Sequence, residues 1–247
     1  MTVAVITGGS RGIGRECALL LAARGHDIAF SYRAEKAAAD ALAAEIEALG
    51  RRVFAQACDV RDEAAVIAFF DGVDAALGRP GIVLVNAGIV APQARLADYS
   101  AERMRSVFET NIFGAFVTAR EAVRRMAKSR GGAGGAIVIN SSKASVLGAP
   151  GEYIDYAATK GAMDTLTIGL AKEVAGEGIR VNAVRPGIID TDIHTLGGEP
   201  RRADRLGPTI PIGRSGTARE VAQTMVWLAS DEASYVTGAL VDVAGGR

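Results

Sequence analysis

The chain has 247 residues, 49% of them apolar and 23% charged, which is enough to bury a sizeable core. Its 28 basic residues balance 28 acidic ones, so composition gives no support to a nucleic-acid surface, and Arg201, Arg202 and Arg205 read as a local patch. No apolar run approaches a membrane span, and the opening MTVAVITGG lacks the basic start of a leader, so neither membrane nor secretory context is expected.

Strand and helix alternate from the start. Residues 3–7, VAVIT, read as a buried strand; a glycine-rich turn leads to a helix over 13–24 and a strand over 28–32. An alanine-rich helix over 35–49 closes at Gly50, followed by strand 52–57, helix 62–77 and strand 82–86. One long helix is expected over 100–128, then strand 136–140. A helix from near Tyr156 to about Gly176 leads to strand 179–184, stopping before Pro186. Helix 218–229 and strand 239–243 end the series. Seven strands with intervening helices predict a Rossmann-type, doubly wound α/β fold: a mostly parallel sheet with helices on both faces. No linker or repeat divides the chain, so residues 1–247 are read as one domain. Residues 190–217 break the rhythm with Pro200, Pro208 and Pro211; a segment this long at the carboxyl end of a strand is read as a substrate lid.

Cys17 and Cys58 lie in apolar stretches and read as buried free thiols in a reducing, cytoplasmic setting. No metal site is expected.

The first strand and first helix are joined by Thr7-Gly8-Gly9-Ser10-Arg11-Gly12-Ile13-Gly14. Glycines at this junction let the main chain approach a pyrophosphate, whose charge is stabilised by the helix N-terminus. An acid favouring NAD would stand after the second strand, where the sequence instead reads Ser31-Tyr32-Arg33. Arg33 and Arg11 together favour a ribose 2′-phosphate, and hence NADP(H), with NAD(H) as the alternative cofactor. Asp59, next to Val60, is placed to accept from an adenine amino group. Asn86, Ala87 and Gly88 end the fourth strand, where the small pair admits close approach of the cofactor.

Tyr156 and Lys160 stand four apart on one helix face. A nearby ammonium is expected to lower the tyrosine pKa and suit the pair to general acid–base work. Ser141 and Ser142 end the strand AIVIN at the same sheet edge, and either hydroxyl could hold a substrate oxygen. Tyr153 competes with Tyr156 but has Ala157 where the lysine would stand. Lys143 reads as a solvated loop lysine.

These motifs together resemble the classical short-chain dehydrogenase/reductase family over essentially the whole chain: Thr7 to Gly14, Asp59-Val60, Asn86-Ala87-Gly88, Asn111, Ser142 with Tyr156 and Lys160, and Pro186-Gly187 with Thr191. The resemblance implies a catalytic serine at Ser142, tyrosine at Tyr156 and lysine at Lys160, with Asn111 supporting a proton-relay water. It also puts Lys160 on the nicotinamide ribose, and Ile188 and Thr191 near the carboxamide. The serine–tyrosine interval is one residue longer than the commonest, and Val85 replaces the first of the family's usual asparagine pair. The stretch Gly148 to Tyr156 is similar to a bacterial subgroup of glucose dehydrogenase-like and 3-oxoacyl-acyl-carrier-protein reductase-like members.

The expected activity is hydride transfer between a carbonyl and a secondary alcohol. A NAD-preferring sugar or polyol dehydrogenase is the alternative, and a non-catalytic nicotinamide-cofactor sensor is the competing class. Epimerase or dehydratase chemistry generally needs a longer chain. The small-molecule substrate would be lined by Ser142, Leu147, Glu152, Tyr153 and His194 together with the 190–217 segment, with His194 more readily read as a satisfied side chain than a catalytic one. A homotetramer is implied, aided by small residues such as Ala115, Ala119, Ala157, Ala158, Gly161 and Ala162 on the long helices and by the apolar C-terminal run SYVTGALVDVAGG.

Overall fold

The computed structural model describes residues 2–247. In chain order its strands and helices are β1 (Val3–Ile6), α1 (Gly12–Ala23), β2 (Asp27–Tyr32), α2 (Lys36–Ala48), β3 (Val53–Ala57), α3 (Glu63–Ala76), β4 (Pro80–Val85), α4 (Ala101–Phe108) and α5 (Gly114–Met126). There follow β5 (Gly135–Asn140), α6 (Ala144–Leu147), α7 (Ile154–Val174), β6 (Ile179–Pro186), β7 (Ile189–Asp190), α8 (Ile193–Leu196), α9 (Arg202–Leu206), β8 (Gly216–Thr217), α10 (Ala218–Ala229) and β9 (Leu240–Val243).

Seven strands form one parallel sheet in the order β3-β2-β1-β4-β5-β6-β9. The strands read as unbroken apolar runs because both faces are covered. Val3 and Val5 of β1, Val83 and Val85 of β4, and Ile137 and Ile139 of β5 enter one core with Phe69, Phe70 and Met126. Their neighbours Ala4, Ile6, Ile82, Leu84, Ala136 and Val138 enter the other, with Leu21, Leu42 and Met225. This is strand alternation with a core on each side.

The chain winds outward from β1 in one direction to β3 and from β4 in the other to β9. The loops at the carboxyl ends of β1 and β4 therefore diverge, and ligands of open α/β sheets sit in such a crevice.

Three expectations change. The helix expected over 100–128 is broken by a π turn, Glu109–Phe113, between α4 and α5. Gly114 packs there so closely on Val60 that a Cβ would stand 2.7 Å from its Cγ2. The strand expected to end before Pro186 includes it, pairing Pro186 with Val243, since a terminal residue gives up only an amide donor. The 190–217 segment is not structureless: it carries β7, α8, α9 and β8, with β7 and β8 paired in parallel.

Among the described residues no helix is long and apolar enough to cross a membrane, and no cluster of His, Cys, Asp and Glu is arranged to hold a metal ion. Cys17 and Cys58 are buried free thiols.

Candidate active site

The switch-point crevice is built from the β1–α1 turn upward. Gly12 adopts φ +53°, and a Cβ on Gly14 would stand 2.4 Å from the Gly8 carbonyl oxygen, so neither position accepts a larger residue without movement. Asn86 fastens the turn to β4: its Nδ2 donates to the carbonyls of Thr7 and Gly8, both at 3.0 Å. The Thr7 hydroxyl accepts from the amides of Asn86 and Ala87. At the start of α1, Arg11 is extended and makes no side-chain cap, and no acidic residue stands in the first turn. The helix N-terminus thus presents amides and partial positive charge to the crevice, a setting that fits a phosphate group.

Of the sequence-predicted cofactor residues, Gly8, Ser10, Arg11, Gly12, Ile13, Tyr32, Arg33, Asp59, Val60, Asn86, Ala87, Gly88 and Thr191 line this crevice. Gly14 lies in the layer beneath. Ser31 replaces the NAD-favouring acid with a buried hydroxyl that accepts from the Gly8 amide at 3.3 Å. Arg33 is exposed at the rim, and its charge helps hold the Asp59 carboxyl below the usual range. The largest cause of that shift is Arg61, which binds both Asp59 oxygens. The carboxylate expected to face adenine is therefore already engaged.

A second cavity adjoins the first, sharing Ile13, Asn140, Thr191 and Ile193. Ser142, Tyr156, Pro186, Gly187 and Ile188 line it, as do Leu147, Glu152, Tyr153 and His194. Ser142 Oγ accepts from the Ala144 amide at 3.1 Å, and it lines the pocket together with Tyr156. The neighbouring Ser141 hydroxyl instead donates to Asp164 Oδ1 at 2.6 Å. Tyr153 is likewise engaged elsewhere, its hydroxyl accepting from Gln93 Nε2 at 3.0 Å.

Lys160 is buried and donates to the Asn140 carbonyl at 2.6 Å. It lies behind Gly88, where a Cβ would meet Asn111 Oδ1 at 3.4 Å and Lys160 Nζ at 3.6 Å. Asn111 sits in the π turn and clamps Ile89, accepting from its amide and donating to its carbonyl, each at 2.8 Å. Its Nδ2 also reaches Thr159 Oγ1. This side chain is committed to Ile89 and Thr159.

The expected lowering of Tyr156 by Lys160 is reversed. Burial pushes the Tyr156 phenol up to about 12, with Ser142 the group drawing it down. Burial pushes Lys160 down to about 8, against the opposing pull of Asp164. The ammonium is 5.4 Å from the Tyr156 ring centre and is turned to the Asn140 carbonyl, and burial is the largest cause of both shifts.

Other expectations also shift. Lys143 is no solvated lysine but pairs with Asp242 at 2.5 Å. Glu152 does not offer a free carboxylate to a polyol, because Arg202 engages both its oxygens at 3.0 and 2.6 Å. His194 is a satisfied side chain, with Nε2 2.8 Å from the Ile189 carbonyl. Arg202 and Asn140 are pocket residues that the sequence did not mark. Asn140 could have been found as the last residue of AIVIN, two before Ser142, whereas Arg202 carries no signal beyond a run of arginines.

Residues 8–247 match the family model described as Enoyl-(Acyl carrier protein) reductase. Over all 247 residues of both chains, the protein is 51% identical to the uncharacterized oxidoreductase YgfF of Escherichia coli (strain K12). A crystal structure of a short-chain type dehydrogenase/reductase from Mycobacterium marinum superposes with a TM-score of 0.92 at 34% identity, covering 99% of this chain and 94% of that one. The chain belongs to the short-chain dehydrogenase/reductase family. This short-chain dehydrogenase/reductase also matches a Burkholderia cenocepacia short chain dehydrogenase in complex with NADP, with a TM-score of 0.89 and 34% identity over 98% of this chain and 96% of that one. As a family member it is an NAD(P)-dependent oxidoreductase.

Proposed function

We propose that this enzyme interconverts a carbonyl and a secondary alcohol with NADP(H), Tyr156 acting as the general acid/base. One observation carries the reading: Ser142 and Tyr156 line the same pocket, and that pocket opens into the crevice rimmed by Arg11 and Arg33. The nicotinamide supplies or accepts the hydride. Ser142 holds the substrate oxygen, and Tyr156 delivers the phenolic proton to it as reduction proceeds. Lys160, at about 8, carries its charge at neutral pH and stabilises the phenolate left behind, while holding the nicotinamide ribose. The proton is restored through a water held at the π turn, a part assigned here to the Asn111 backbone because its side chain is taken by Ile89 and Thr159.

Cofactor preference rests on Ser31 in place of an acid and on the two rim arginines. The B. cenocepacia relative's NADP complex supports the same choice. The enzyme is assigned as a homotetramer: Phe108, Phe113 and Phe116 lie exposed along α4, the π turn and α5, and Tyr235 is fully exposed beside β9. Two free buried thiols fit a cytoplasmic setting.

The test is NADPH oxidation and NADP+ reduction across ketones, aldehydes, β-ketoesters, quinones, sugars and polyols. Turnover of a ketone or aldehyde by the wild type and its loss in Tyr156→Phe is the expected result. Cofactor binding without turnover on any of these compounds would favour a sensor, and NADH matching NADPH would remove the cofactor assignment. Light scattering checks the tetramer.

A further inference from the structure

Ser142 has no buried anchor of its own beyond the Ala144 amide, yet both its chain neighbours are tied to one charge network. On the N-terminal side, the Ser141 hydroxyl donates to Asp164 Oδ1 at 2.6 Å, with the Lys160 carbonyl 3.1 Å away. On the C-terminal side, Lys143 Nζ pairs with Asp242 Oδ2 at 2.5 Å. Arg185 joins the two carboxylates, its Nε 2.7 Å from Asp242 Oδ1 and its Nη1 3.6 Å from Asp164 Oδ2.

The backbone repeats this pattern. The Ser141 amide donates to the Val184 carbonyl at 2.9 Å, and the Lys143 amide to the Pro186 carbonyl at 2.8 Å. Arg185 is the residue between those two carbonyls. It therefore stands across from Ser142 where β5 has ended, and its guanidinium gathers the side-chain tethers of Ser141 and Lys143. The network draws one charge each from α7, β6, β9 and the segment after β5. Its two cations and two anions alternate, and the side chains of Asp164, Arg185 and Lys143 are mostly buried. Buried pairs of this kind contribute more to geometry than to net stability, because desolvation offsets much of their attraction.

We propose that Arg185 is a positioning residue for the Ser142 hydroxyl: by bridging Asp164 and Asp242 it fixes the chain on both sides of the serine and so sets where the substrate oxygen is held. This rests on the role assigned to Ser142 above. Arg185 touches neither substrate nor cofactor; it acts through Ser141 and Lys143.

A double-mutant cycle separates positioning from general structure. The probe is reduction of 9,10-phenanthrenequinone by NADPH, measured on the assembled enzyme for wild type, Arg185→Gln, Ser142→Ala and the double variant. Arg185→Gln is expected to lower kcat by roughly 10- to 100-fold, the range a misplaced reacting group produces. KM for NADPH should stay within about twofold, because the crevice is untouched. In the Ser142→Ala background the same substitution should cost less than about threefold, and Arg185→Lys should recover part of the loss. Equal losses in both backgrounds, or a kcat loss matched by a loss of NADPH affinity, would overturn the proposal.

Ser142→Ala with wild-type turnover would instead remove the role of Ser142 itself, and this inference with it. Loss in Ser142→Ala but none in Arg185→Gln would sink the inference alone. Should Arg185→Gln fail to fold, Asp242→Asn releases Lys143 from a more exposed position and enters the same cycle. Crystal structures of the variants give an activity-independent check: Ser142 Oγ displaced from Tyr156 supports the proposal, and an unmoved Ser142 Oγ contradicts it.

Discussion

Lys160 Nζ stands 2.6 Å from the Asn140 carbonyl oxygen, a single hydrogen bond for an ammonium that is almost entirely out of solvent. The charge is costly there, which is why its pKa falls from 10.5 to about 8. Below pH 8 both folded and unfolded chains carry the proton, and the folded protein bears the full penalty. Between about 8 and 10.5 the folded protein binds fewer protons, so this group's effect on stability becomes more favourable as pH rises. The depression corresponds to about 3 kcal/mol. Lys160→Met is therefore expected to abolish turnover yet raise stability at pH 7 by about 1–3 kcal/mol, with the gap to wild type narrowing toward pH 10. Urea unfolding at pH 7 and pH 9.5 reads both; a less stable Lys160→Met protein at pH 7 would contradict the burial argument.

The two tyrosines near the pocket differ in partners. Tyr156 shares the pocket wall with Ser142, whereas the Tyr153 hydroxyl accepts from Gln93. Tyr156→Phe should lower kcat by about 10²–10⁴-fold, the range for loss of a general acid/base, with NADPH affinity unchanged. Tyr153→Phe should leave kcat within a few-fold and act on substrate KM. Steady-state kinetics and cofactor titration of both variants decide; comparable kcat losses would mean that the proton donor is misassigned.

Much of this arrangement is legible in the sequence, for physical reasons. VAVI and AIVI read as strands because two cores bury them from both sides. The glycine turn reads as a phosphate cradle because Gly12 and Gly14 admit no Cβ without strain or collision. The residues alone leave Ser141 and Ser142 both open, and only the family resemblance favours Ser142. The residues are adjacent and chemically identical, and Asp164, which claims Ser141, lies 23 positions away. The π turn was hidden for a similar reason: residues 100–128 carry a continuous helical pattern, and the interruption accompanies contacts of Gly114 with Val60 and of Asn111 with Ile89. Arg202 looked like surface charge because its acid, Glu152, is 50 residues upstream.

Cofactor choice is tested at the rim. Arg33 is exposed beside the crevice, and Arg11 is held by only a 4.0 Å contact with Asp192, leaving both able to turn to a 2′-phosphate. A charge-assisted hydrogen bond contributes about 1.5–3 kcal/mol, less where water screens it. Arg33→Ala should therefore lower kcat/KM for NADPH by about tenfold with little change for NADH. Ser31→Asp, which restores an acid at the end of β2, should move preference further toward NADH. Specificity constants for both cofactors measure this, and an unchanged ratio in Arg33→Ala would remove Arg33 from 2′-phosphate recognition.

The last prediction concerns the segment between β7 and β8. Arg202 of α9 is buried against Glu152 of the loop before α7, bonded to both its oxygens, and also reaches Glu199 at 3.2 Å. Gln93 extends the latch, its Nε2 donating to Glu199 Oε2 at 2.8 Å and to the Tyr153 hydroxyl at 3.0 Å. Three segments around the pocket are thus tied to one another through charged and polar groups. Removing Arg202 leaves Glu152 without its cation, although Glu199 keeps Arg205 on both its oxygens; the loss is about 3–5 kcal/mol for a fully buried pair and less here, where Glu152 remains partly exposed. Arg202→Met keeps the apolar stem and removes the charge, so the tie between Glu152 and α9 is lost and the segment should part from the pocket. The expected result is a substrate KM raised by about tenfold or more, NADPH affinity little changed, and new proteolytic cleavage within 190–217. Restoring neutrality with Glu152→Gln in the Arg202→Met background should recover part of the substrate affinity. If Arg202→Met instead left both KM and protease resistance at wild-type values, the segment would be held by contacts other than this latch.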